Sequence, residues 1–123
     1  MENKLQNKDT SDVPERKYPR KAFQKPVAYL CQGSSQVVNG VEIGEGGLSF
    51  ESAQNISVDQ NIIVNFFIPE GDFFSLQTSV RSASVKPGGQ IVYGVHFLNM
   101  SLSLKRQIRA YVARMSLSEQ KIN

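Results

Sequence analysis

Two arginines placed four residues apart are the side chains of this sequence best suited to binding an anion. They begin and end the segment Arg16-Lys17-Tyr18-Pro19-Arg20. Each guanidinium can form paired hydrogen bonds with a phosphate or with the O6/N7 edge of a guanine, or lie flat on a base. Pro19 disfavours helical geometry at Tyr18. We therefore expect an irregular loop from which both arginines reach the same anion.

A second segment with binding chemistry is Glu42-Ile43-Gly44-Glu45-Gly46-Gly47-Leu48, at a turn between two predicted strands. Strand alternation that buries Val41 and Ile43 directs Glu42 outward. Glycines at positions 46 and 47 allow φ > 0 and let a ligand approach the main chain. Together the segment offers an outward carboxylate beside accessible backbone.

The elements that must position these segments are strands. Six runs of strand-forming residues are separated by Gly- and Pro-rich turns, with no helix between them. We predict strands over residues 27–32, 36–43, 48–52, 61–68, 73–85 and 90–97. Gly40 is interpreted as a strand glycine at a bulge, with Val37, Asn39, Val41 and Ile43 on the core face. Six strands at hairpin spacing predict an antiparallel barrel or sandwich.

The end of the chain changes from strand to helix periodicity. An apolar stripe of helical spacing predicts one amphipathic helix, with Ser101 or Ser103 as its N-cap. The stripe consists of Leu104, Ile108, Tyr111, Val112 and Met115. We expect this helix to cover an open end or an edge of the sheet.

Charge is distributed unevenly along the chain. Residues 1–25 carry a net charge of +3, residues 26–101 carry −4, and residues 102–123 carry +4. The acidic middle argues against a broad nucleic-acid face on the strands and for a local anion site supplied by the N-terminal arm. A small barrel that binds single-stranded nucleic acid would instead place aromatic platforms amid basic charge.

Other features bound the class of protein. The single Cys31 permits no disulfide within the chain and fits a reducing compartment. No apolar run is long enough to cross a membrane, and the N-terminus lacks the apolar core of a signal peptide. These observations predict a cytoplasmic protein. His96 has no second histidine or cysteine cluster for a metal site, and Glu42 and Glu45 lack a complementary base or nucleophile, so we expect no enzyme and no cofactor.

The two binding segments together resemble the PilZ domain family, whose pattern is R-x-x-x-R on an N-terminal loop followed by (D/N)-x-S-x-x-G after the second strand. The strand Tyr93-Gly94-Val95-His96-Phe97 leading into a helix is also similar to that family. The resemblance covers roughly residues 15–115. It implies a six-stranded antiparallel β-barrel with a C-terminal α-helix. Residues 1–14 are polar, mixed in charge and without periodicity, which predicts a disordered tail, and residues 116–123 are expected to form a further tail. Many members of the family bind the second messenger cyclic di-GMP.

The resemblance implies a cyclic di-GMP site made by Arg16, Arg20, Glu42, Gly44 and Gly47. Glu42 stands where the family has Asp or Asn, and Gly44 stands where it has Ser. The missing hydroxyl predicts a loss of roughly 1–3 kcal/mol, so that Gly44→Ser should tighten binding. Two readings stay open: a cyclic di-GMP receptor that passes its signal to an effector protein, and a PilZ-like adaptor that binds no nucleotide.

Overall fold

The computed structural model describes residues 19–122, and side-chain burial for residues 19–114. Arg16 and the predicted tail at 1–14 therefore lie outside the described residues. The described chain forms seven strands followed by one helix: β1 (Arg20–Ala22), β2 (Pro26–Cys31), β3 (Ser34–Gly44), β4 (Gly47–Ser52), β5 (Asn61–Phe67), β6 (Phe73–Val85), β7 (Ile91–Phe97) and α1 (Leu102–Ile122).

Six of these strands close into an antiparallel barrel. Neighbouring strands follow the order β3-β2-β5-β6-β7-β4, and β4 pairs again with β3 to complete the circle. The short strand β1 lies outside this circle and pairs with the end of β3. The predicted six-stranded antiparallel barrel with a C-terminal helix is thus confirmed.

A two-residue turn sets the register of the first hairpin. Cys31 pairs with Ser34, and the turn residues Gln32 and Gly33 have φ values of 51° and 80°. Positive φ at both positions matches the twist of the two strands. The turn therefore begins one residue earlier than the gap at 33–35 that separates the two predicted strands.

A bulge in β3 changes which of its side chains face the core. The register of β3 against β4 shifts between Gly40 and Glu42. Val38 packs against the core and Ile43 is fully buried, although they are five positions apart, an odd spacing that regular alternation does not allow. The predicted core face was therefore wrong before the bulge, because Val37 is 74% exposed.

The helix α1 closes one end of the barrel. Ser101 is the N-cap, since its Oγ accepts a hydrogen bond from the backbone N–H of Leu104 at 3.0 Å. The buried helix residues are Leu104, Ile108, Tyr111 and Val112. The Tyr111 ring meets the ring of Phe23 edge-on at 5.9 Å. The backbone of the helix continues to Ile122, so most of the expected tail at 116–123 is helical.

Two phenylalanine pairs flank the turn between β5 and β6. Phe66 is buried and Phe74 packs against the core, as the alternation of strands predicts. Their neighbours Phe67 and Phe73 are 64% and 52% exposed, with ring centroids 4.9 Å apart. Within the described part of the chain, no helix is long and apolar enough to cross a membrane.

Candidate ligand-binding site

The N-terminal arm lies directly beside the Glu42–Gly47 turn. Arg20 pairs with Gly44 and Ala22 pairs with Glu42 in the short ladder between β1 and β3. Beyond this ladder, the backbone N–H of Phe23 donates to Val41 O at 2.9 Å. Arg20 was predicted on an irregular loop, but it begins a strand. The arm can pair there because β3 runs past its contact with β2 and leaves an open edge.

Gly44 makes close contact with this arm. A Cβ atom built on Gly44 would lie 2.8 Å from the backbone oxygen of Pro19 and 3.1 Å from Cγ of Arg20. A serine here would press on the backbone of the arm that carries Arg20. The absence of a side chain at position 44 thus has a structural cause in addition to its consequence for ligand contacts.

Gly47 is needed for the contact between two barrel strands. A Cβ atom built on Gly47 would overlap the carbonyl oxygen of Val95 on β7, because the two atoms would be closer than a Cβ atom and an oxygen approach in real structures. Since β4 begins at Gly47, a side chain there would separate β4 from β7 at the edge of the candidate site. Gly47 therefore shapes the barrel wall whatever it contributes to a ligand.

Glu42 occupies the position that follows the bulge of β3. Its side chain is half-buried, and its backbone N–H donates to the buried Ser49 Oγ at 3.2 Å. Ser49 pairs in turn with Gly94 on β7. The bulge and the small side chain of Ser49 place Glu42 against the outer wall of the barrel.

An ion pair connects the β3–β4 turn to α1. Arg109 donates to both carboxylate oxygens of Glu45, from Nε at 2.8 Å and from Nη2 at 3.0 Å. Hydrogen bonding by Arg109 lowers the pKa of the Glu45 carboxyl below its ordinary value, against a smaller effect of desolvation. The Glu45 side chain is only 12% exposed. The turn that carries Gly44 and Gly47 is thereby held to the helix.

A cavity of about 250 Å³ adjoins this turn. Its wall combines exposed polar groups with apolar ones. The lining residues are Glu45, Gly46, His96, Phe97, Met100 and Lys105. His96 pairs with Gly47 across the β4–β7 ladder, so the cavity adjoins the candidate site.

Sequence reasoning missed Arg109 and Lys105 as neighbours of the turn and considered His96 only as a metal ligand. Helical spacing alone gives the side of α1 on which Arg109 lies, but not the turn against which that side packs. The position of His96 beside Gly47 depends on the register between β4 and β7. Among the residues that the structure describes, no group of three potential ligands could hold a metal ion.

Comparison with known families gives the family to which the described fold corresponds. The profile of the PilZ domain matches residues 14–114, most of the chain. No curated protein matches this chain significantly.

Several solved structures share the fold at low sequence identity. The Bacillus subtilis inhibitor of motility MotI/DgrA has a TM-score of 0.77 at 15% identity, over 84% of this chain and 52% of that chain. Escherichia coli YcgR in complex with c-di-GMP has a TM-score of 0.68 at 18% identity, over 86% of this chain and 48% of that chain. Borreliella burgdorferi PlzA in complex with c-di-GMP has a TM-score of 0.60 at 16% identity, over 84% of this chain and 44% of that chain. This chain thus spans about half the length of these proteins.

Proposed function

Because this chain belongs to the PilZ domain family, we propose that it is a cyclic di-GMP receptor that passes its signal to an effector protein in the cytoplasm. PilZ domains are regulatory receptor and adaptor modules. In this proposal Arg16 and Arg20 hold the ligand against the outer wall of the barrel, beside Glu42, Gly44 and Gly47. Relatives of the same fold were solved with this dinucleotide bound.

The pairing of Arg20 with Gly44 is the observation that carries the proposal. It brings the second arginine of the R-x-x-x-R segment next to the turn that holds Glu42 and Gly47. The two halves of the expected motif are far apart in sequence, and this register makes them neighbours. A receptor of the proposed kind needs this proximity, because guanidinium and carboxylate must contact the same ligand.

Each residue has a distinct role in the proposal. The guanidiniums of Arg16 and Arg20 bind phosphate oxygens or guanine edges. The Glu42 carboxylate accepts hydrogen bonds from the N1–H and N2–H₂ donors of a guanine. The backbones of Gly44 and Gly47 border the ligand, and the missing side chains let the arm pack against Gly44 and β7 against Gly47.

Isothermal titration calorimetry of cyclic di-GMP binding to the full chain tests the proposal. We expect Arg20→Ala and Arg16→Ala each to nearly abolish binding, since each removes charge-assisted hydrogen bonds. Arg106→Ala is the matched control, because it removes one exposed positive charge from α1 without touching the arm. Retention of wild-type affinity by Arg20→Ala would remove Arg20 from the site.

The alternative function is that of a PilZ-like adaptor that binds no nucleotide and acts through protein contacts. Two departures from the family pattern favour it: Glu42 in place of Asp or Asn, and Gly44 in place of Ser. If the wild-type chain does not bind cyclic di-GMP at high micromolar concentration, the adaptor reading replaces the receptor reading.

A further inference from the structure

The cavity beside Gly46 and His96 is large enough for one part of a cyclic dinucleotide but not for the whole molecule. Its volume of about 250 Å³ is below the roughly 300–1,000 Å³ typical of sites that enclose a whole drug-sized molecule. A cyclic dinucleotide with two guanines is larger than this cavity, whereas a single base is a flat group of suitable size. The cavity therefore fits one base of such a ligand.

The charged groups of the cavity favour a partner with hydrogen-bond acceptors. The Glu45 carboxylate is engaged by Arg109 through two hydrogen bonds. Within the described residues, the Lys105 ammonium and the His96 imidazole make no hydrogen bond or ion pair with another side chain. Both side chains are exposed at the cavity. Lys105 is a donor only, and His96 carries a donor in every protonation state.

The apolar part of the wall distinguishes a base from a phosphate. Met100 lines the cavity, and its thioether packs well against a flat apolar surface. Phe97 lies behind it in the core, with its ring stacked on that of Phe66. A phosphate has no such surface and would lie against the Glu45 carboxylate. A guanine matches both the apolar wall and the hydrogen-bond donors of the cavity. Its faces are apolar, and its O6 and N7 atoms accept hydrogen bonds from lysine.

The position of the cavity relates it to the arginine arm. Gly46 lines the cavity, and His96 pairs with Gly47. Gly44, two residues before Gly46, pairs with Arg20. The arm and the cavity therefore adjoin the same turn.

We propose that this cavity holds one guanine of cyclic di-GMP, with Lys105 and His96 donating hydrogen bonds to its O6/N7 edge. The inference rests on the proposed receptor function and adds residues outside the expected motif. Lys105 and His96 select guanine, and the arginines bind the remainder of the ligand.

Calorimetry with the full chain tests the inference. Lys105→Ala and His96→Ala are each expected to weaken cyclic di-GMP binding about tenfold, the loss of one hydrogen bond to a polar ligand. Arg106→Ala, one residue further along α1 and not part of the cavity, should change the affinity less than about twofold. If Lys105→Ala behaves like Arg106→Ala while Arg20→Ala loses binding, the cavity assignment is overturned and the receptor function stands.

A modified ligand separates a base contact from a phosphate contact. In the cyclic dinucleotide of 7-deazaguanine, a C–H group replaces N7 and the phosphates are unchanged. Combining Lys105→Ala and His96→Ala should cost this analogue clearly less affinity than it costs cyclic di-GMP, since one acceptor is already missing. Equal losses for both ligands would overturn the base assignment. Absence of cyclic di-GMP binding by the wild-type chain would overturn both this inference and the receptor function.

Discussion

At the scale of single residues, Gly47 connects the candidate site to the stability of the barrel. A Cβ atom at this position would overlap the carbonyl oxygen of Val95. We expect Gly47→Ala to lower the free energy of unfolding by about 1–3 kcal/mol, the usual cost of forcing an extra carbon into a packed contact. Urea denaturation followed by circular dichroism measures this difference.

Gly88→Ala is the matched control for Gly47→Ala. A Cβ atom on Gly88 would have no neighbour within 4 Å, so its effect should stay within about 0.5 kcal/mol. Equal stability of the two variants would show that β4 and β7 can separate at Gly47 without cost. Loss of ligand binding in Gly47→Ala is evidence of a ligand contact only if the variant is folded.

A side chain at position 44 would both press on the arm and stand next to the proposed ligand. A Cβ at this position would lie 2.8 Å from Pro19 O, so we expect both Gly44→Ala and Gly44→Ser to bind cyclic di-GMP more weakly than the wild type. This revises the expectation, based on the motif alone, that Gly44→Ser tightens binding. A hydroxyl that contacts the ligand would make Gly44→Ser bind about tenfold more tightly than Gly44→Ala. Equal affinities on calorimetry would show that position 44 contributes no hydrogen bond.

The sequence predicts residue types at the site better than it predicts their neighbours. Arg20 and Glu42 stand out because guanidinium and carboxylate groups have specific chemistry. Their proximity depends on the β1–β3 ladder, a pairing between distant parts of the chain that local propensity does not encode. Arg109 could not be assigned to Glu45 for the same reason, because 64 residues separate the two.

At the scale of elements, turn chemistry and strand alternation predict most of the barrel. The long strand β6 was predicted with the bounds that it has, Phe73–Val85, since polar alternation and flanking glycines define it. The alternation fails in β3. An extra residue between Gly40 and Glu42 there exchanges the positions that face the core with those that face outward. A glycine in a strand indicates that a bulge can occur, but its position depends on the partner strand.

The ion pair between Glu45 and Arg109 makes the link between turn and helix dependent on pH. The folded state lowers the pKa of Glu45 from its ordinary value of 4.5. The pair therefore contributes stability above about pH 4.5, and this contribution is lost as the pH falls through the lowered pKa. We expect Arg109→Ala to be less stable than the wild type by about 0.5–1 kcal/mol at pH 7.

Urea denaturation from pH 7 to pH 3 measures this dependence. The difference in stability between wild type and Arg109→Ala should shrink below pH 4.5. The control Arg106→Ala removes the same charge without the ion pair, and its difference from the wild type should not follow the titration of Glu45. A difference for Arg109→Ala that is constant over this range would show that Arg109 acts through packing alone.

At the scale of the whole molecule, a closed barrel leaves its ends to be covered. At one end, α1 buries Leu104, Ile108, Tyr111 and Val112 in a cluster with Phe23 from the arm. Tyr111 also donates from its hydroxyl to Ala22 O at 3.2 Å. The helix therefore contacts both the core and the short strand that carries Arg20, so the arm, the barrel and the helix form one packed unit.

Truncation of α1 tests how much of the fold depends on this helix. Four buried side chains contribute roughly 1.5–3 kcal/mol each, a total comparable with the roughly 5–15 kcal/mol that stabilises a typical domain. A chain that ends at Met100 should therefore lose its cooperative unfolding transition. A chain that ends at Met115 keeps these four residues and should unfold cooperatively, which also tests the expected domain boundary at residue 115. Near-ultraviolet circular dichroism and urea denaturation distinguish the two chains, and a cooperative transition in the shorter chain would show that the barrel folds without its helix.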